Sequence, residues 1–448
     1  MGYGQKEDKG HVWMMKHVFL LRFNHEMHNP PALPPGPGHL DDLKAATQNT
    51  WVRSPRPAHL SLFPSVSLLP YINTSQLAPS HCKFATITPH SKRLQIQKNL
   101  INMGFEKKLV KDVSGWLKLY DDGSVDRTWT GPPEVNFLIS QVPPSAEFVD
   151  GVATHDVVVD PPKSSSFSVR VYVPERLPGD SVASYPVLLH FHGGGFCVSH
   201  PDWYMYYQFY ERLVREARAI CVSVYQRLAP EHRLPAAVDD GCAALLWLRS
   251  VARGERREPA LDDADFSRVF LVGDSSGGNL VHEVAARAGK EELSPLQLAG
   301  GIPIHPGFVR AERSKSELEQ EPSPMLTLEM VDSFLALALP EGSTKDHPIT
   351  CPMGEAAPPL GKVKLPPFLV VVAEKDMIRD TELEYVEAMK KGGKEVEVLV
   401  NAGMGHSFYL NKMAVDLDPE TGKQTQLLIQ GISDFMKRRS LPKTLAGA

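Results

Sequence analysis

Residues 268–280 read R-V-F-L-V-G-D-S-S-G-G-N-L, and the rest of the chain can be read outward from them. Val269 to Val272 make a short apolar run with the length and composition of a strand buried on both faces. It passes directly into Gly273-Asp274-Ser275-Ser276-Gly277-Gly278, after which Leu280, Val281, Val284 and Ala285 recur at helical spacing. In isolation a G-x-S-x-G pentapeptide is as readily a plain glycine turn. Between a strand and a helix it marks a sharp elbow. There, small residues are needed two positions before and after the centre, and the central side chain is left strained and exposed. Ser275 is therefore the expected nucleophile, with Ser276 supplying the next backbone N–H.

Composition narrows what such a nucleophile serves. The chain has 448 residues, 42% hydrophobic and 23% charged, enough to bury a large core in one big α/β domain or in two or three smaller ones. A net charge of −5 without a long basic block argues against a nucleic-acid partner. The five cysteines are odd in number and lack C-x-x-C spacing, which argues against a disulfide framework or a zinc site and for a reducing, cytoplasmic setting. No apolar run approaches the roughly 18 residues that span a bilayer.

The first 102 residues differ from the remainder of the chain. They hold eight of the seventeen histidines and eleven of the thirty-eight prolines, and carry eleven basic against five acidic residues. The run P-P-A-L-P-P-G-P at 30–37 excludes helix and central strand. Few acids and several serines also suit an organellar transit peptide, but arginine is scarce. A disordered leader, or sequence ahead of a natural start at Met103, is the preferred reading. From Met103 to the end the pattern is that of a folded domain. Residues 116–120 and 125–129 flank the turn Asp121-Asp122-Gly123-Ser124. Strands are expected at 156–160, 166–173, 186–191, 219–225, 299–304, 367–373 and 396–400, besides the one before Ser275. Helices are expected at 203–218, 236–251, 326–339, 381–391 and 425–437. This alternation implies a mostly parallel central sheet flanked by helices on both faces, an α/β fold with its opening antiparallel strands at one edge.

In such sheets reactive groups collect in loops at the carboxyl ends of strands. One loop is His192-Gly193-Gly194-Gly195-Phe196, where consecutive glycines let backbone N–H groups point at an oxyanion. A second, after residues 367–373, is Glu374-Lys375-Asp376-Met377-Ile378-Arg379-Asp380. Asp376 is the expected partner of a catalytic histidine, Glu374 a weaker alternative, and Asp380 is expected to cap the next helix. A third is Gly403-Met404-Gly405-His406-Ser407-Phe408, whose histidine follows the final strand and completes the order Ser…Asp…His. The expected triad is Ser275, Asp376 and His406, which needs no metal or cofactor because side chains and backbone supply every proton and charge.

Taken together, His192 to Phe196, Tyr225-Gln226-Arg227-Leu228-Ala229-Pro230-Glu231-His232, Gly273 to Gly278 and Gly405 to Phe408 resemble the plant carboxylesterases. These belong to the hormone-sensitive-lipase-like group of α/β-hydrolases. Trp116-Leu117, Tyr120 to Arg127 and Asp346-His347-Pro348 extend the likeness, which covers about 103–437. The resemblance implies an α/β-hydrolase fold and hydrolysis of small-molecule carboxylic esters. It also implies an oxyanion hole from Gly194, Gly195 and Ser276, the last standing where alanine is commoner, and a cap built from about 103–136 and 310–340. The same group holds gibberellin receptors, which lack the catalytic histidine that His406 supplies here, and dehydratases or lactonases that use the same triad.

Overall fold

The computed structural model describes residues 107–160, 166–178, 184–323 and 325–440. The expected leader, residues 1–102, lies outside them. Eight strands form the main sheet. They are β4 (Val152–Val159), β5 (Phe167–Pro174), β6 (Tyr185–Phe191), β7 (Ile220–Val224), β8 (Ala264–Asp274), β9 (Leu298–Ile304), β10 (Phe368–Ala373) and β11 (Val396–Asn401), in the order β11-β10-β9-β8-β6-β7-β5-β4. From β11 to β7 the neighbours run parallel, whereas β5 pairs antiparallel with both β7 and β4. Val269, Phe270, Leu271 and Val272 of β8 are fully buried, as a central parallel strand requires.

Helices cover both faces. Val187, Leu189, Val269 and Leu271 point into a core with α2 (Ala236–Ala252), α3 (Ser276–Ala288) and α6 (Arg379–Lys391). Leu188, Phe270 and Val272 point the other way, against α1 (Tyr204–Ala217) and α8 (Pro419–Ser440). Each such side chain contributes roughly 1.5–3 kcal/mol relative to exposure, so the two-sided sheet is the main store of stability. Three short helices, α4 (Lys315–Glu319), α5 (Leu328–Ala338) and α7 (Lys412–Leu417), complete the fold.

The sequence expectations need three corrections. The opening hairpin, β2 (Leu117–Tyr120) and β3 (Val125–Asp126), does not join the edge of the main sheet. It pairs with β1 (Leu109–Val113), which the pattern did not reveal, in a separate three-stranded sheet. The edge is taken by the eight-residue β4–β5 ladder, while Trp116 stacks against Trp129 and Trp203. Second, β4 begins at Val152 rather than 156, because Val152, Ala153 and Thr154 are all buried and show no polar alternation. Third, α8 begins at Pro419 rather than 425; the Asp418 carboxylate accepts the Thr421 N–H at 3.0 Å, a cap followed by proline at the first turn.

Candidate active site

Ser275 sits between β8 and α3 with φ 51° and ψ −122°, a conformation that costs a non-glycine residue about 1–3 kcal/mol. The surroundings impose it. The Ser275 N–H donates to Ile304 O at 3.0 Å, and its carbonyl accepts the N–H groups of Gly278 at 2.9 Å and Gly307 at 2.8 Å. A Cβ on Gly273 would strike the Gly277 carbonyl, and one on Gly277 would strike that of Phe191. Glycine is needed at both positions because the backbone passes too close for any side chain.

The loop after β6 faces this elbow. Gly194 and Gly195 have φ of +102° and +60°, and a Cβ on Gly194 would strike the Val198 carbonyl. Two links tie the loop to the elbow. The Phe196 N–H donates to Ser276 Oγ at 3.2 Å, so the hydroxyl that replaces the commoner alanine methyl is in use. The Gly193 N–H donates to Tyr206 Oη at 3.0 Å, and that hydroxyl donates to Asp274 Oδ2 at 3.2 Å. His192 is buried, its Nδ1–H donating to Gly193 O at 2.9 Å, and burial pushes its imidazole down to about 3. It is a neutral brace in the loop.

Asp376 and His406 meet as expected. His406 Nδ1–H donates to Asp376 Oδ2 at 2.6 Å, and Asp376 Oδ1 accepts the Ile378 N–H at 3.1 Å. Both side chains are buried, and His406 Nε2 has no hydrogen-bond partner. Ser275 and His406 line one cavity, although no hydrogen bond joins them; such bonds often tighten only when substrate binds. Glu374 is occupied elsewhere, accepting the Gly403 N–H at 2.7 Å on the surface. Asp380 does not cap the next helix. It already lies in the first turn of α6, and its carboxylate accepts the Ser316 N–H at 2.8 Å while pairing with Arg379. A partner 64 residues away in sequence left no local signal.

A family model described as the alpha/beta hydrolase fold matches residues 188–410. A probable carboxylesterase of Arabidopsis thaliana, carboxylesterase 6, is 35% identical over 311 residues, which is 69% of this chain and 87% of that protein. This chain is an α/β-hydrolase. The gibberellin receptor GID1C of the same plant is 36% identical to the hydrolase over 287 residues, 61% of this chain and 80% of that one. Among solved structures, carboxyl esterase 2 of the fungus Tuber melanosporum superposes with a TM-score of 0.54 at 23% identity, covering 64% of this chain and 87% of that one.

The hydrolase's cavity has a volume of about 90 Å³. Its walls beyond the polar residues are apolar, and Trp116, Phe196, Met330, Phe334, Leu335 and Leu410 are among them. The Phe334 ring lies so close to the glycine loop that a Cβ on Gly195 would come within 2.7 Å of it. Sequence reasoning missed three groups around Ser275, Asp376 and His406. Asp274 was seen only as the variable position of the elbow. His305, buried at the end of β9, accepts the Ser407 N–H at Nδ1. Glu382 on α6 is fully buried with neither oxygen paired, and burial near Asp376 pushes its carboxyl well above the ordinary value. His305 had a usable signal, its place at a strand's carboxyl end; Glu382, in an ordinary helical pattern, had none. His305, Asp376 and His406 are also the one grouping among the described residues with ligand atoms close enough for a cation. However, His406 Nδ1 and Asp376 Oδ2 already engage each other, and His305 Nδ1 engages Ser407.

Proposed function

We propose that this hydrolase is a serine carboxylesterase that cleaves small, uncharged carboxylic esters through an acyl-enzyme. The observation that carries the reading is the His406–Asp376 hydrogen bond of 2.6 Å, which leaves His406 Nε2 unpaired beside the cavity that Ser275 lines. His406 Nε2 takes the Ser275 Oγ proton as Oγ bonds to the ester carbon, and the carbonyl π electrons move to oxygen. The N–H groups of Gly194, Gly195 and Ser276 receive that oxyanion, each worth about 3 kcal/mol in the transition state. The oxyanion collapses, the C–O bond to the alcohol breaks, and His406 returns the proton to the leaving oxygen. Water repeats the cycle and frees the acid. Asp376 holds the histidine tautomer and balances the imidazolium.

The substrate class follows from the walls. Among the described residues that line the cavity there is no lysine or arginine, so a substrate carboxylate would be buried without a counter-ion. Residues from about 107–136 and 310–340, which bring Trp116 and Phe334 to the cavity, act as the cap. We place the protein in the cytoplasm, since the four described cysteines are unpaired and three of them buried. An organophosphate should label Ser275 one-to-one and abolish hydrolysis of short aryl esters, and Ser275→Ala should lose both. Protein that is neither labelled nor hydrolytic but binds a hormone tightly would be a receptor instead. The same labelling on a chain beginning at Met103 tests whether residues 1–102 are dispensable; loss of soluble, labelled protein would end that reading.

A further inference from the structure

His305 ends β9 wholly buried, in the left-handed backbone region with φ 44°, its N–H donating to Val371 O at 2.9 Å. Ser407, the residue after His406, is also left-handed, with φ 50°. Neither is glycine, so each holds strain that the surroundings must enforce. A single bond joins the two: the Ser407 N–H donates to His305 Nδ1 at 3.0 Å. This bond settles the tautomer, because an Nδ1 that accepts carries no proton, and the neutral ring must then keep its proton on Nε2. Burial pushes the imidazole down to about 3, so the ring stays neutral under working conditions and Nδ1 stays free to accept.

The other nitrogen is equally informative. His305 Nε2 and Asn401 Oδ1 are both buried and face each other, so the Nε2–H is turned towards the Asn401 carbonyl oxygen, whose amide nitrogen donates to Gln424. A ring nitrogen of His305, a carboxylate oxygen of Asp376 and a ring nitrogen of His406 lie within 4.8 Å of one another. The His305 and His406 rings are 6.0 Å apart, and Phe408 and Tyr409 pack on the rest of the His305 ring at 5.9 Å each. The charged or titratable groups around His305 are thus Asp376 from the loop after β10 and His406 and Tyr409 from the loop after β11. Glu382 on α6 is felt through Asp376.

We propose that His305 is a positioning residue for His406. Through bare Nδ1 it pins the peptide that follows His406 and so aims the catalytic ring. Its Nε2–H, turned towards the Asn401 carbonyl oxygen, holds the His305 ring in that orientation. The proposal rests on the esterase reading above. It explains why the loops after β9 and β11 both carry strain at non-glycine residues.

Two replacements test it. His305→Phe keeps a ring but removes both nitrogens, while His305→Asn keeps an acceptor near the Nδ1 position and gives up the Nε2–H. In His305→Phe, kcat should fall roughly 100-fold with KM little changed, as expected when a catalytic group is mis-aimed by about an ångström. The acid limb of log kcat/KM should move in both variants, since a ring nitrogen within 4.8 Å of the Asp376 and His406 ligand atoms is lost. His305→Asn should recover about tenfold of the lost kcat by restoring the acceptor. A loss that follows only the folded fraction by circular dichroism, with an unmoved acid limb and Asn no better than Phe, would reduce His305 to core packing. If His305→Phe retains wild-type kcat and pH profile, the proposal is wrong. If the wild-type protein neither hydrolyses esters nor takes up organophosphate at Ser275, the esterase reading itself fails.

Discussion

At Asp376 one carboxylate does two things: Oδ2 takes the His406 proton donor and Oδ1 takes the Ile378 N–H. Replacing it with Asn keeps the shape but turns a donor towards His406 Nδ1, which forces the wrong tautomer. Asp376→Asn should therefore cut kcat by about 10⁴ with KM nearly constant. Asp380, four residues on, accepts the Ser316 N–H and pairs with Arg379, so Asp380→Asn should cost about 1 kcal/mol of stability and leave turnover alone. Steady-state kinetics and urea melts on both variants decide the matter; the opposite ranking would overturn the assignment of Asp376 as the partner of His406. These two residues also mark how far sequence carries at this scale. The places of Ser275, Asp376 and His406 were legible because each follows a strand and a strand's end has an apolar signature. The true partner of Asp380 and the orphaned carboxyl of Glu382 were not, because their surroundings come from chain far away. Ser276 lies between: its N–H could be assigned from the elbow, whereas its hydroxyl's bond to Phe196 needed the two loops in place.

At the scale of elements, α5 meets the glycine loop at Phe334. Phe334 packs on Gly195, its carbonyl accepts the Cys197 thiol at 3.5 Å, and the ring closes one side of the cavity. Phe334→Ala should lower stability by about 3 kcal/mol and leave space beside the reacting carbonyl. It should raise the ratio of kcat/KM for hexanoyl over acetyl esters by about tenfold or more, the order that one or two methylenes command in an apolar pocket. An unchanged ratio across a chain-length series would exclude Phe334 from substrate selection. The elements themselves were largely readable. Parallel strands such as β8 and β10 announce themselves through apolar runs, 269–272 and 368–373, with a loop of glycine or acid behind. By contrast β1 has exposed Leu109 and Val110 and a register shift against β2, so neither alternation nor burial marked it. The hairpin's departure from the main sheet depended on the length of the β4–β5 ladder, which no local pattern encodes.

Over the whole molecule, buried histidines tie stability to pH. Burial pushes His192 and His305 down to about 3 and His282 to about 4 from an ordinary 6.5. Between those values the unfolded chain binds protons that the native state refuses, so stability falls as pH drops below 6.5. The slope is roughly 1 kcal/mol per pH unit for each histidine. Glu382 works the other way, since its raised carboxyl makes the native state the tighter proton binder above an ordinary 4.5. Burial also lowers His190, His200 and His347 and raises Asp202, Glu211 and Glu283, so among the described residues six histidines stand against four carboxyls, and urea midpoints should fall from pH 7 to pH 5. Equal midpoints would mean that these side chains are solvated in the native state. The separation of β1–β3 from the main sheet has a different kind of consequence. Trp116, beside β2, lines the cavity, yet β1–β3 share no ladder with the strands that carry Ser275, Asp376 and His406; Arg127 clasps them on through Glu231 and the carbonyls of Cys197 and Ala229. Heritable change at Trp116 can thus alter what is admitted without breaking a hydrogen bond made by Ser275, Asp376 or His406. Selectivity and reactivity are modular here, free to drift at different rates in the descendants of a single gene.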